Sequence, residues 1–128
     1  MEEKLFHNEY YWTSPYNYID EVRANFQLPE KIKFHDVTLR DGEQSPGVAF
    51  RAEDKVAIAK LLDELGVDRI EVALPAVSQE DLKATKNIVA LGLNAKIFVL
   101  SRGIASDVEA ALDCGVDGII LELPVGIP

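Results

Sequence analysis

Only one cysteine, Cys114, occurs in 128 residues, so no disulfide can form within the chain and a reducing compartment is expected. Cys114 falls at the end of an expected helix with no histidine nearby, which fits a small buried hydrophobe rather than a nucleophile. Positive charge is also scarce: 13 Lys and Arg stand against 22 Asp and Glu, a net charge of −9. Nucleic acid and anionic membranes reward clustered Lys and Arg, so both are disfavoured as partners. No apolar run approaches the roughly 18 residues of a membrane span. The N-terminus lacks the basic-then-apolar pattern of a signal peptide, and a cytoplasmic location is the expectation. Against these absences stands a hydrophobic content of 48 % in one domain-sized chain, enough for a globular core.

Residues 1–30 differ from the rest. They hold all four tyrosines, the only tryptophan and two prolines, with no sustained helical or strand period. The expectation is an irregular, aromatic-rich extension with a short helix around Ile19–Asn25. It is expected to dock on the main domain or a partner, because so many aromatics are unusual in a free tail.

From residue 31 the pattern becomes regular. Ile32–Leu39 reads as a strand, and Glu53–Leu65 as a helix with Val56, Ala59, Leu62 and Leu65 on one face and Gly66 as its stop. Asp68–Leu74 is a second strand, followed by a helix that opens on a capping-box-like Ser78-Gln-Glu-Asp81 and ends at Gly92. Ala95–Leu100, a helix over Ser106–Cys114, and Gly118–Leu123 complete four strands and three helices. Strands joined by helical crossovers form a parallel α/β sheet.

An internal repeat refines this. GVDRIEVALP (66–75) and GVDGIILELP (115–124) share Gly, Val, Asp, Ile, Leu and Pro at an offset of 49 residues. That offset spans two strand–helix units and points to a (β/α)₈ barrel, with a doubly wound sheet as the alternative. No glycine-rich phosphate loop follows the first strand, which weighs against the latter. A complete barrel takes about 250 residues, so residues 31–128 correspond to its N-terminal half, with open edges at the first and fourth strands.

Barrel chemistry gathers where strands end. Asp36, Thr38, Arg40, Asp41, Glu43 and Gln44 crowd the end of the first strand, and strict alternation would put Asp36, Thr38 and Arg40 on one face. Glu71 lies inside the apolar strand DRIEVAL, where an unpaired carboxylate is costly, and Arg40 on the neighbouring strand is its natural partner. Glu122 in GIILEL is a second such anomaly; by the repeat it aligns with Ala73, on Glu71's face and one pleat nearer the strand end. A structural Asp–Arg pair needs two groups, whereas six are present; a shared polar site is the better reading.

The run Thr38-Leu-Arg-Asp-Gly-Glu-Gln44, followed by Ser-Pro-Gly, resembles the first-strand signature of the DRE-TIM metallolyase superfamily, also called HMG-CoA lyase-like or pyruvate carboxyltransferase. Within it the chain is most similar to the 2-isopropylmalate, citramalate and homocitrate synthases. The resemblance runs from about His35 to Leu123 and includes Glu53-Asp54-Lys55, DRIEVALPAVS and LSR at 100–102. Gly42-Glu43-Gln44 stands where carboxyltransferases carry Ala-His-Gln and lyases Gly-Leu-Gln, and Asp41 where homocitrate synthases tend to have Glu. The resemblance implies a Claisen-type condensation of acetyl-CoA with a 2-oxo acid on a divalent metal (Mg, Mn or Zn). It assigns Asp41 as a metal ligand, Arg40 to oxyanion charge and Glu71 to orienting Arg40; Gln44 and Glu122 are assigned to substrate. The family's His-x-His ligand pair has no counterpart here, since the two histidines, His7 and His35, are not so spaced. Two alternatives therefore stay open: a carbon–carbon lyase on the same scaffold, and an inert half-barrel. Expected partners are small-molecule substrates, with self-association or pairing with the other barrel half.

Overall fold

The computed structural model describes residues 7–27 and 29–126; the expected extension at 1–6 and 28, and the final two positions, lie outside the described residues. The chain divides into two compact units, one through Ile32 and one from Lys33. In the first, Pro15–Tyr18 forms a 3₁₀ turn and Asp20–Arg23 a single helical turn, α1; His7 and Trp12 make an isolated antiparallel bridge. Tyr10, Trp12 and Tyr16 are exposed.

The second unit holds strands β1 (His35–Asp36), β2 (Arg69–Glu71), β3 (Lys96–Arg102) and β4 (Gly118–Glu122), and helices α2 (Ala52–Leu65), α3 (Gln79–Val89) and α4 (Ala105–Asp113). All neighbouring strands are parallel, in the order β1-β2-β3-β4. A doubly wound sheet reverses its order at a switch point; sequential order does not, and is that of half a (β/α)₈ barrel.

Ile70, Val72, Ile97 and Val99 share one face and are buried with Ala59, Ile88 and Ala111 of the three helices. Each fully buried Val or Ile side chain contributes roughly 1.5–3 kcal/mol. The buried stripe of α2 runs Ala52, Lys55, Ala59, with Val56 and Leu62 half-buried beside it. Leu65, expected on that face, is 77 % exposed, because the helical rotation carries it roughly 100° round from the stripe.

The repeat has a physical cause. Gly66 and Gly115 both stop a helix with positive φ, 87° and 73°, where any Cβ would be strained. The aspartate two residues on then grips the preceding strand at both of one residue's peptide groups. Phe34 N–H donates to Asp68 Oδ2 (2.9 Å) and Asp68 N–H donates to Phe34 C=O (3.1 Å). Likewise Ile97 N–H donates to Asp117 Oδ2 (2.8 Å) and Asp117 N–H to Ile97 C=O (2.9 Å).

The Ile97 N–H, aided by Lys96, holds the Asp117 carboxyl below its ordinary range. A depressed folded-state pKa gives stability that is present above the unfolded value, about 3.9, and lost as pH falls through the folded value. The Asp117→Ala variant is therefore expected to unfold at lower urea than the native protein at pH 7, with the gap narrowing as pH drops below about 4. A gap independent of pH would show that the carboxylate charge does not contribute.

The repeat also measures the barrel's stagger. An offset of 49 makes Glu71 equivalent to Ile120, yet the register sets Glu71 beside Phe98 and Phe98 beside Gly118. Two strand steps produce a slip of two residues; one residue per strand is the shear of about 8 that closes an eight-stranded barrel.

Candidate active site

The first strand is far shorter than the expected Ile32–Leu39. Asp36 accepts the Thr38 N–H (2.9 Å) and hydroxyl (3.1 Å), an Asx turn that competes with the ladder. The Val37 carbonyl then accepts N–H groups from Arg40, Asp41 and Gly42, so the chain coils immediately after Asp36. Alternation therefore does not extend to Thr38 and Arg40. The coil buries Leu39 completely and turns Arg40 toward β2; Gly42–Gln44 forms the next 3₁₀ turn.

Arg40 is the hub of the polar groups gathered at this strand end. Its Nε–H donates to Glu71 Oε1 at 2.6 Å, and Nη1 donates to Asp41 Oδ1 at 2.7 Å and to Gln44 Oε1 at 3.4 Å. Glu71 is 3 % exposed as a side chain and Asp41 59 %, so the guanidinium bridges the sheet interior and the open side. Its Nη2 donates to none of the described residues, and no buried side-chain N or O among them lacks a partner; Nη2 therefore reaches solvent. A cation locked on one edge by a buried carboxylate and free on the other is a preorganised donor.

His35 holds Glu71 from the other side. Its Nε2 lies 3.1 Å from Glu71 Oε2, and its ring meets Phe98 edge-on at 5.6 Å. An ionised carboxylate only accepts, so Nε2 carries the proton in this contact. Phe98 also carries the Arg69 guanidinium 5.4 Å from its centroid and presses on Gly118, where any Cβ would collide with the ring.

A second polar cluster adjoins the first. Lys55 is 1 % exposed, and its ammonium contacts Glu43 Oε2 (2.6 Å), Asp81 Oδ1 (2.5 Å) and the Val72 carbonyl (3.5 Å). Arg40, Gln44, Lys55, Leu74, Val77 and Asp81 line a shared pocket of about 160 Å³. Ser78 caps α3 as expected, its Oγ accepting the Asp81 N–H at 3.0 Å, but the box is incomplete because the Asp81 carboxylate is engaged by Lys55.

Four of the five expected site residues thus meet: Arg40, Asp41, Gln44 and Glu71. Glu122 does not join them. The register puts Gly118 level with Glu71, so Glu122 lies on the same face but two pleats further along rather than one, the difference being the stagger. It is exposed, opposite Arg102, with no side-chain partner among the described residues. Arg102 in turn gives Nε (2.6 Å) and Nη2 (3.1 Å) to Asp107, whose carboxyl it holds below the usual range. Cys114 is buried, and that burial pushes its thiol up, as suits an unreactive core residue.

Two members of the site are not evident from the sequence. His35 stands there only as a histidine outside any His-x-His pair, and Lys55 only as part of the Glu53-Asp54-Lys55 stretch that opens a helix. Lys55 nevertheless carries a signal: it falls on the apolar stripe between Ala52 and Ala59, where a lysine needs partners.

Among the described residues, no group of three or more His, Cys, Asp or Glu is placed to hold a metal ion. Asp41 presents an exposed carboxylate, with Oδ1 accepting from Arg40 Nη1 and Oδ2 without a partner among the described residues.

Comparison with known proteins adds the context. The family model described as HMGL-like matches residues 31–126. A homocitrate synthase of Methanopyrus kandleri is 50 % identical over 103 residues, 80 % of this chain and 26 % of that protein. A 2-isopropylmalate synthase of Methanocaldococcus jannaschii is 45 % identical over 101 residues, 79 % of this chain and 20 % of its own length. Homocitrate synthase 1 of Nostoc is 44 % identical over 95 residues, 74 % of this chain and 25 % of that protein. The chain spans about a quarter of the length of these curated relatives or less.

Proposed function

The chain belongs to the HMGL-like family, and we propose that it contributes one wall of the active site of an acyltransferase that condenses acetyl-CoA with a 2-oxo acid. The observation that carries this reading is the Arg40 clamp: a guanidinium fixed at Nε by buried Glu71, with Nη2 open to the site.

In such a condensation a base takes a proton from the acetyl methyl group, the carbon so freed attacks the keto carbon, and the keto π pair moves onto its oxygen as negative charge. That oxygen is then protonated, and hydrolysis of the thioester by water releases free CoA. Arg40 places a fixed cationic donor where that charge appears, in a setting that needs no reorganisation at the moment of reaction. Glu71 fixes the guanidinium plane, and His35 fixes Glu71. Gln44, whose amide oxygen faces Arg40, leaves its amide nitrogen for substrate oxygens. Asp41 would hold a divalent cation together with oxygens from outside the described residues; when bound, that cation supplies Lewis-acid polarisation of the keto group. Hard cations of this kind take carboxylate and carbonyl oxygen, which is what Asp41 and a chelating 2-oxo acid offer. Residues 1–30 are an extension to this half-barrel in the same reading.

The test is release of free CoA, monitored with a thiol reagent, from acetyl-CoA and a panel of 2-oxo acids with Mn²⁺, using the complete protein that carries this sequence. Substrate-dependent release supports the synthase. Cleavage of 3-hydroxy acyl-CoA compounds without any condensation would make it a lyase, and neither reaction would leave an inert scaffold. Asp41→Asn should weaken Mn²⁺ binding, raising the half-saturating Mn²⁺ concentration by about ten- to a hundredfold. An unchanged Mn²⁺ requirement would remove Asp41 from the ligand set.

A further inference from the structure

We propose that Lys55 is a positioning residue for the Arg40–Gln44 turn, holding it to the end of β2 and the start of α3 through Glu43. The inference rests on the reading of that turn as part of an active site, and it assigns a role to a buried cation which that reading leaves unused.

An ammonium has three N–H donors and no acceptor. Lys55 finds three acceptors, each from a different segment: Glu43 in the 3₁₀ turn after β1, Val72 just beyond β2, and Asp81 in the first turn of α3. At 1 % exposure water does not substitute for any of them. The separation of the three segments is thereby fixed by one atom, Nζ.

Arg40 and buried Leu39 anchor the start of the turn, but beyond Arg40 it has few anchors to the sheet and helices. After Leu39 the chain carries a short 3₁₀ turn, then Ser45-Pro46-Gly47, then residues without regular secondary structure up to Arg51, all of them exposed or half-buried. Glu43 is its internal tie: Oε1 accepts the Phe50 N–H at 2.7 Å, closing the loop on itself, while Oε2 goes to Lys55. Glu43 lies two residues from Asp41 and one from Gln44, so fixing its carboxylate fixes the backbone that presents both. The neighbouring contact from Ala52 N–H to Glu80 Oε1, 2.7 Å, ties α2 to α3 independently of Lys55. The two helices thus keep a tie that does not use the ammonium, whereas Glu43's tie to them runs through it. A buried ion cluster is generally a weak stabiliser compared with apolar residues of the same volume, which leaves placement of the turn as its distinctive contribution.

The test separates placement from stability by removing all three charges together. Lys55→Met alone leaves two half-buried carboxylates without their cation and risks unfolding; the triple variant K55M/E43Q/D81N leaves no such charge. In the complete protein, hydrogen–deuterium exchange of the triple variant is expected to rise about tenfold in peptides covering 40–50, with α2 and α3 unchanged. Its kcat for CoA release should fall by about ten- to a hundredfold, with KM for acetyl-CoA within about twofold of the native value, because displacement of a site by an ångström costs that much. Unchanged exchange at 40–50, an equal rise across α2 and α3, or an unchanged kcat would each overturn the proposal. If the native protein condenses no 2-oxo acid, the synthase reading fails; the exchange measurement still decides whether Lys55 holds the turn.

Discussion

Replacing Arg40 by lysine is expected to lower kcat by about 10²- to 10³-fold, the loss associated with removal of one preorganised oxyanion donor. Lysine preserves the positive charge and can still approach Glu71, so the experiment isolates shape from charge. Arginine uses two separate edges here: Nε toward Glu71 and the Nη groups toward Asp41, Gln44 and solvent. An ammonium is a single point and cannot face the buried carboxylate and the open site at once. Glu71→Gln gives the complementary result. The amide oxygen can still accept from Nε, so the guanidinium stays near its position, but its hold weakens because the bond is no longer between two charges. The expected order of kcat is native, then E71Q, then R40K. Steady-state kinetics with circular dichroism to confirm folding would check it; activity of R40K within about threefold of native would refute the donor role.

Lys55→Met is expected to lower unfolding free energy by about 3–5 kcal/mol, the range for breaking a buried ion pair from one side. Methionine fills the volume of the lysine stem, so packing is nearly preserved. The effect comes from Glu43 and Asp81, left facing each other's charge at 24 % and 17 % exposure. Neutralising those two partners should recover most of the loss, since an uncharged polar or apolar cluster has no ion to desolvate. Urea unfolding of the single and triple variants checks both statements. Equal destabilisation in both would show that the volume, not the unpaired charge, matters.

The alternation of strand and helix is legible in the sequence because each unit carries its own punctuation: apolar strand, helix with an acidic first turn, glycine stop. The length of β1 is not, because the Asp36–Thr38 turn is a local hydrogen-bonding choice that apolar alternation does not reveal. The Arg40–Glu71 pair can be anticipated, since a carboxylate inside an apolar strand must find a cation and the neighbouring strand end offers one. Glu122 escapes for a geometric reason: repeat alignment compares equivalent residues, whereas a tilted barrel sets non-equivalent residues side by side. Lys55 is hidden because lysine in an amphipathic helix usually belongs to the wet face. Its place between Ala52 and Ala59 marks it as a lysine in need of partners, but which partners, Glu43 and Asp81 from segments 12 and 26 residues away, only three-dimensional contact shows.

The aspartate grips at Phe34 and Ile97 also bear on how such a chain acquires its shape during synthesis. Each grip joins residues only 34 and 20 positions apart, so a new strand can lock onto its predecessor soon after leaving the ribosome. The two bonds of a grip must reach the N–H and C=O of the same residue. A strand that arrives one position out of place would lose both, and would also turn its apolar side chains to the wrong face. The pairings of β1 with β2 and of β3 with β4 can therefore be checked in the order the polypeptide is made, before the barrel has a second edge to close upon.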